Sequence, residues 1–326
     1  MTGQLQIGLT AGVPEALYHR GIVDGEESLS HSGMKTLLGS TPAHFRREVD
    51  HPEDRVQKKE FDLGSAAHAY VLGAAHSSGL AEIRQGPPTK DQPFGTGAPH
   101  ENYRTKDAQT KRDAAYSLDL VPILLKDVSR VEAMVKALRS RRCAAELLAP
   151  DTGVPELTAI VRDPESGVLL RARFDWWRHD ARAVDYKTTS KSAAPSRFAR
   201  TGYDLGYYLQ AATYSYIAEL LEAPLDGFDF VVQEPYPPYE PSVLHFGPAS
   251  LELGRLRMRR AIAMFAECKA SGVWPGCPDE AVEVAVPFWA LREAGIQTTS
   301  TSSELSGDST TDVAGLLDDL ERILSE

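Results

Sequence analysis

Asp175, Asp185 and Lys187 fall within residues 171–189, RARFDWWRHDARAVDYKTT, and their spacing could serve metal-dependent phosphodiester chemistry. Residues 168–177 are rich in β-branched, aromatic and aliphatic side chains, His179-Asp180-Ala181 interrupts them, and residues 183–188 resume the pattern, so a β-hairpin is expected. A hairpin centred near Asp180 sets Asp175 opposite Asp185. Like charges opposed across antiparallel strands, with Cβ atoms roughly 4.5–5.5 Å apart, destabilise the pair unless something neutralises them. A divalent cation would do so. Side chains alternate along a strand, so Asp185 and Lys187 share a face and Tyr186 takes the other. Mg²⁺ takes one or two carboxylates together with water and phosphate oxygens, and a neighbouring lysine can hold or activate the attacking water. A bare D-x-K also occurs on ordinary surface hairpins. Here, however, the aspartates are embedded in apolar strand sequence, where unpaired charge is costly to bury.

The elements that must position these groups are legible on either side. Residues 61–73, FDLGSAAHAYVLG, read as an amphipathic helix with Gly64 and His68 on one face. Residues 203–222, YDLGYYLQAATYSYIAELLE, read as a second helix on which Gln210 and Tyr214 share a face. Core packing accounts for Tyr207, Tyr208 and Tyr216 but poorly for Gln210.

The ordered set G-x-x-x-H, a strand aspartate, D-Y-K-T and Q-x-x-x-Y resembles the RecB-like branch of the PD-(D/E)xK nuclease superfamily. Within that branch, YHRGIVDGEESLSHSGMKTLLGSTPAHFRRE, FDLGSAAHAYVLG and FDFVVQEPYPPYEPSVLHF make the chain most similar to the phage and prophage RecE-like exonucleases (exonuclease VIII type), over roughly residues 16–292. The resemblance implies an α/β PD-(D/E)xK (restriction-endonuclease-like) core at about 150–292, with a mixed sheet flanked by helices and an N-terminal helical elaboration, inside a domain spanning 1–295. It implies His68, Asp175, Asp185 and the Tyr186 carbonyl near the metals, Lys187 at the water, and Gln210, Tyr214 and Thr188 along the DNA strand. Glu156, in VPELTAIV, matches a position where related exonucleases carry a further acid; an exposed strand glutamate is the alternative. The implied activity is Mg²⁺-dependent digestion of linear double-stranded DNA from 5′ ends, with Mn²⁺ substituting, by a homo-oligomeric ring. It would leave 3′ single strands for a RecT-like annealing partner. An endonucleolytic or structure-specific nuclease, and a non-catalytic DNA-binding or scaffold protein on the same fold, are the alternatives.

Some relatives clamp an iron–sulfur cluster with four cysteines. Cys143, Cys268 and Cys277 are one short and form no CxxC pair, so no iron–sulfur cluster is expected and the cysteines read as reduced packing residues. His19, His31, His44 and His51 have no zinc-site spacing.

The length of 326 residues, 42% hydrophobic and 25% charged, suffices for a large core. No apolar run approaches the roughly 20 residues of a membrane span, and the N-terminus lacks a signal-peptide pattern, so a cytoplasmic protein is expected. A net charge of −11 opposes DNA binding, but residues 301–326 hold seven acids against one base and so account for more than half of it. Arg104, Lys106, Lys111 and Arg112, and then Lys136, Arg139, Arg141 and Arg142, form two basic clusters, either solvated helix faces or a wall guiding DNA. Ser30 or Ser32 can cap one helix and Thr41-Pro42 open the next. Residues 77–102 lack hydrophobic period and read as a mobile loop that could close over DNA. Helix is expected over 110–148, and a strand over 227–234. Residues 296–312 read as a disordered Ser/Thr-rich linker. Residues 313–326 read as an acidic amphipathic helix suited to docking a partner.

Overall fold

The computed structural model describes residues 5–52, 59–73, 80–118 and 120–286, without side chains for 59–62. The chain divides into two compact units, Met1–Gly276 and Cys277–Glu326, an earlier boundary than the expected 295. The expected linker at 296–312 and helix at 313–326 lie outside the described residues. Cys277 to Val286 of the second unit has no helix or strand and is exposed throughout.

The first unit is built on an eight-stranded mixed sheet with helices on both faces. Its centre is three long strands, β6 (Gly153–Arg162), β7 (Leu169–Arg178) and β8 (Arg182–Thr188). β6 and β7 pair antiparallel along their whole length, and the expected hairpin joins β7 to β8. β9 (Gly227–Gln233) runs parallel to β8, and β10 (Pro241–Leu244) closes that edge. β1 (Gly8–Thr10) lies outside β6 at the other edge.

One face carries α2 (His31–Gly39), α3 (Pro42–Asp50), α9 (Tyr207–Leu220) and α10 (Pro248–Ser271), and Met34, Phe45, Ile217 and Phe265 join the sheet's Leu170, Phe174 and Phe230 in the larger core. The other face carries α4 (Lys59–Leu72), α6 (Leu125–Ser140) and α7 (Arg142–Leu147), with Ala67, Val131 and Met134 against Trp176, Val184 and Tyr186. The caps read from sequence are present: Ser30 Oγ accepts from the Gly33 N–H at 3.2 Å, and Thr41 Oγ1 from the His44 N–H at 3.3 Å. No helix among the described residues is long and apolar enough to cross a membrane.

Two stretches differ from expectation. The segment read as a mobile loop is tied down. Its β4 (Leu80–Glu82) pairs in parallel with β5 (Val121–Ile123), and Phe94 and His100 are buried. The helices expected over 110–148 are α5 (Lys106–Ser117), α6 and α7, with β5 an unexpected strand between the first two. Lys111, assigned to a basic cluster, is buried and donates to the carbonyls of Arg84 and Gly86 and to Asp107 at 2.7–2.9 Å, so it staples this subdomain and cannot meet DNA. The helix expected from residue 203 is two helices, α8 (Pro195–Asp204) and α9, separated by Leu205-Gly206. Of the cysteines only Cys268 is buried; Cys143 and Cys277 are exposed, against the packing role expected.

Candidate active site

The sheet forks at the site. β6 occupies one edge of β7 along residues 169–178, so the two remaining partners share the other edge: β3 (Glu26–Ser30) pairs in parallel with residues 169–171, and β8 with residues 176–177. Among the described residues, no strand pairs with residues 172–175 of that edge. Extending the β7–β8 register by one residue sets Asp175 against Asp185, as the hairpin predicts, but the strands have begun to part there. The Asp175 side chain bridges the opening, Oδ2 accepting from the Tyr186 N–H at 2.9 Å.

β7 also turns over at this point. Phe174 and Trp176, two residues apart, belong to cores on opposite faces of the sheet, although strict alternation would give them one face. Across the β6 ladder, Glu156 stands opposite Asp175 between the pairs Pro155–Trp176 and Leu157–Phe174, and its backbone is left-handed, with φ of 50°. A non-glycine residue held there is strained by about 1–3 kcal/mol, a cost that accumulates where side-chain direction matters.

The acids meet α4 through His68. Its Nε2 lies 2.8 Å from Asp175 Oδ2 and its Nδ1 lies 3.4 Å from Glu156 Oε1. Arg173 Nε stands 3.7 Å from Glu156 Oε2. α4 can approach because residue 64 is glycine: a Cβ there would lie 3.0 Å from Thr188 Oγ1. Thr188 therefore sits half-buried beneath α4 at the end of β8, where it sets the seating of the histidine helix.

On the other side of the fork, Asp185 Oδ1 accepts from Gln210 Nε2 at 2.6 Å, and Lys187 Nζ lies 2.6 Å from Asp185 Oδ2. The Lys187 ammonium also stands 5.3 Å from the Tyr207 ring centroid. Gln210 is buried, so the amide fixes the carboxylate rather than reaching outward. Tyr214 is buried one turn further along α9, its ring 4.9 Å from that of Phe174. The Tyr186 ring points to the opposite core, where its hydroxyl donates to Gln233 Oε1 at 2.7 Å, so Tyr186 enters the site through its backbone.

The electrostatics match a cation site. Burial alone would lower the His68 imidazole, but the charge and hydrogen bond of Asp175 and the charge of Glu156 hold it up at about 9. Burial, opposed by His68 and reinforced by Asp175, pushes Glu156 up to about 7. Burial, reinforced by Asp175 and opposed by Lys187, pushes Asp185 up to about 6. Desolvation would raise Asp175 too, but His68 holds its carboxyl below the usual range. The imidazolium thus provides positive charge among carboxylates that burial would otherwise neutralise.

The donor set fits a divalent metal. Ligand atoms of His68, Glu156 and Asp175 all lie within 4.8 Å of one another. Metal–ligand bonds of about 2.0–2.5 Å bring ligands on opposite sides of one ion to such separations. Asp185 Oδ2 supports the same reading, being buried without a hydrogen bond of normal geometry despite its ion pair with Lys187.

Lys35 was not singled out from sequence. It projects from α2 against the α8–α9 turn, where His31 Nε2 donates to the Gly206 carbonyl at 2.9 Å. Burial and the Lys187 charge hold its amine below the usual range, so a second lysine borders the site. Nothing local announces this, because residues 31 and 206 meet only through the tertiary fold.

No curated protein compared with the chain matches it. A crystal structure of a candidate exonuclease from Eubacterium rectale superposes with a TM-score of 0.50 at 12% identity, covering 81% of this chain and 92% of that one, a likeness of fold. Residues 30–283 match the family described as a PDDEXK-like domain of unknown function (DUF3799), and this span includes every acid, histidine, lysine and glutamine of the site. The chain belongs to that PDDEXK-like family.

Proposed function

We propose that the protein is a metal-dependent nuclease, and specifically an exodeoxyribonuclease that hydrolyses linear double-stranded DNA. The observation that carries this reading is the convergence of His68, Glu156, Asp175, Asp185 and Lys187 at the fork of the sheet. A structural ion-pair cluster has no need of two acids on one histidine with a third acid and a lysine across the fork from them. His68, Glu156, Asp175 and Asp185, with the Tyr186 carbonyl, would hold the metal, with Mg²⁺ as the expected ion and Mn²⁺ as substitute. When bound, the ion would supply Lewis acidity toward the scissile phosphate and lower the pKa of water.

The chain's own residues then divide the remaining work. Lys187 stays protonated, because Asp185 and Asp175 overcome the cost of its burial, so it acts as a fixed positive charge and donor toward the attacking water or the phosphate. Gln210 fixes the Asp185 carboxylate, and Tyr207 and Lys35 border the lysine. Tyr214 packs on Phe174 and Thr188 lies beneath α4, so at the acids themselves both act through their neighbours.

Digestion from 5′ ends, production of 3′ strands for annealing, a ring of subunits and a RecT-like partner docked by residues 313–326 belong to the same proposal and rest on the resemblance to RecE-like exonucleases. The test is a time course on end-labelled linear duplex with Mg²⁺, alongside covalently closed circles, using wild type, Asp185→Ala and Lys187→Ala. Loss of the linear duplex by wild type alone is expected. Nicking of the circles would favour an endonuclease, and intact DNA in every lane with binding retained would favour a non-catalytic DNA-binding protein.

A further inference from the structure

Among the described residues, a cavity of about 500 Å³ beside the fork is a basic feature that the site does not use. Arg47, Arg171, His19, His51, Ser30 and Ser32 line it together with Tyr214. Glu48 is the one acid among the described residues of this lining. His31, also in the wall, is held neutral by burial, down to about 3, so the positive charge comes chiefly from the two guanidiniums.

Arg171 is preset. It donates to the carbonyl and, at 3.0 Å, to the Oγ of Ser28, and its guanidinium stands 5.6 Å from the Tyr18 ring centroid. Residue 21, glycine with φ of 65°, makes the room: a Cβ there would collide with the guanidinium. Ser30 pairs with Arg171 across β3 and β7, so the start of α2 and this arginine are held in one register. A planar guanidinium fixed in this way is suited to phosphate oxygens.

Three links join the cavity to the acids. Arg171 and Asp175 lie on the same strand, four residues or about 13 Å apart at the usual strand rise. Tyr214 lines the cavity and packs its ring on Phe174, the neighbour of Asp175. On α2, His31 in the cavity wall lies one turn from Lys35, which borders Lys187. A nucleic-acid strand ending in the cavity would therefore lead an internal phosphodiester toward the acids. A terminal phosphate monoester carries about −1.5 to −2 charges at neutral pH, against one for an internal diester, and offers more acceptor oxygens.

We propose that this cavity binds the terminal phosphate of a nucleic-acid strand and so sets the distance from the strand end to the scissile bond. This rests on the nuclease reading of the neighbouring site. Either a 5′ or a 3′ phosphate carries the required chemistry.

The test measures binding of the wild-type protein, in chelator so that nothing is cut, to three fluorescent duplexes of one sequence bearing 5′-phosphate, 3′-phosphate or only hydroxyl ends. One phosphorylated end should bind roughly tenfold tighter than the hydroxyl end, the scale of one added charge-assisted contact. Which end it is identifies the source. Arg47→Ala, at an exposed rim residue that threatens no core, and Arg171→Lys should reduce that preference while leaving hydroxyl-end binding in place. Equal affinity for all three duplexes, in a protein that degrades linear DNA once metal is restored, would overturn this inference alone. So would a preference that survives both substitutions. No binding to any duplex and no cleavage with metal would overturn the nuclease reading, and this inference with it.

Discussion

His68 Nε2 lies 2.8 Å from Asp175 Oδ2 on a side chain that also reaches Glu156, so one imidazolium ties the histidine helix to two strands of the sheet. In the metal-free protein this bond makes stability depend on pH. Burial opposes the charged ring, but Asp175 and Glu156 raise it from an ordinary 6.5 to about 9. A raised folded-state value adds stability that is complete below the unfolded value and lost as pH rises through the folded one. In chelator, Tm should therefore fall by roughly 5 °C between about pH 6.5 and 9.5. His68→Gln should flatten that slope, and the same slope in both proteins would show that the ion pair is not its source. Glu156, raised to about 7, adds a loss of the same sign at lower pH.

Metal binding must displace the proton that His68 carries, since a ligating imidazole is neutral. Metal affinity should accordingly rise with pH between about 6 and 9, with protons released, as calorimetry in buffers of different ionisation enthalpy would show. The mixed imidazole and carboxylate donors also favour Mn²⁺ over Mg²⁺, which prefers oxygen ligands and gives up water reluctantly. A Kd for Mn²⁺ roughly ten or more times lower than for Mg²⁺ is expected. Equal affinities, or uptake without proton release, would take His68 out of the coordination sphere.

Gln210 donates to Asp185 at 2.6 Å inside the core. Its removal should act through the carboxylate it holds. Gln210→Ala should lower kcat about 10–100-fold, the usual cost of losing a partner that orients a metal ligand, with little change in KM for DNA. A rise in KM with kcat unchanged would instead assign Gln210 to the strand, the role its motif suggests.

Much of this was legible because it is local. The hairpin, the alternation of Asp185, Tyr186 and Lys187, and the caps at Ser30 and Thr41 depend on neighbours a few residues away. What escaped depends on pairing at a distance. β4 and β5 are three residues each and lie in parallel some 40 residues apart, too short for a period to be visible. The left-handed backbone at Glu156 lies opposite the turnover of β7, a partner 19 residues away that Pro155-Glu156-Leu157 does not announce. Lys111 looks like a surface cation until the carbonyls of Arg84 and Gly86 close on it. The break at Gly206 hides inside an aromatic run that reads as continuous helix.

Asp163 tests the scaffold separately from the chemistry. It is fully buried; Oδ1 accepts from the Tyr216 hydroxyl at 2.5 Å and from Arg259 at 2.8 Å, while Oδ2 accepts from the Ser166 N–H at 2.9 Å and its hydroxyl at 2.5 Å. It joins the turn between β6 and β7 to α9 and α10, far from the fork. Desolvation works against the charge, but the bonds from Ser166, Tyr216 and Arg259 hold the carboxyl below its usual range. A lowered folded value means stability present above the unfolded pKa and lost as pH falls through the folded one. Wild type should weaken below about pH 4 in part for this reason. Asp163→Ala leaves Arg259 and Tyr216 facing an uncompensated site and should cost about 3–5 kcal/mol in denaturant melts at neutral pH. It should also remove part of the acid sensitivity, while metal affinity at the fork stays unchanged as long as the protein is folded. A loss under 1 kcal/mol would mean that water replaces the carboxylate and that the network is not what joins the turn to the helices.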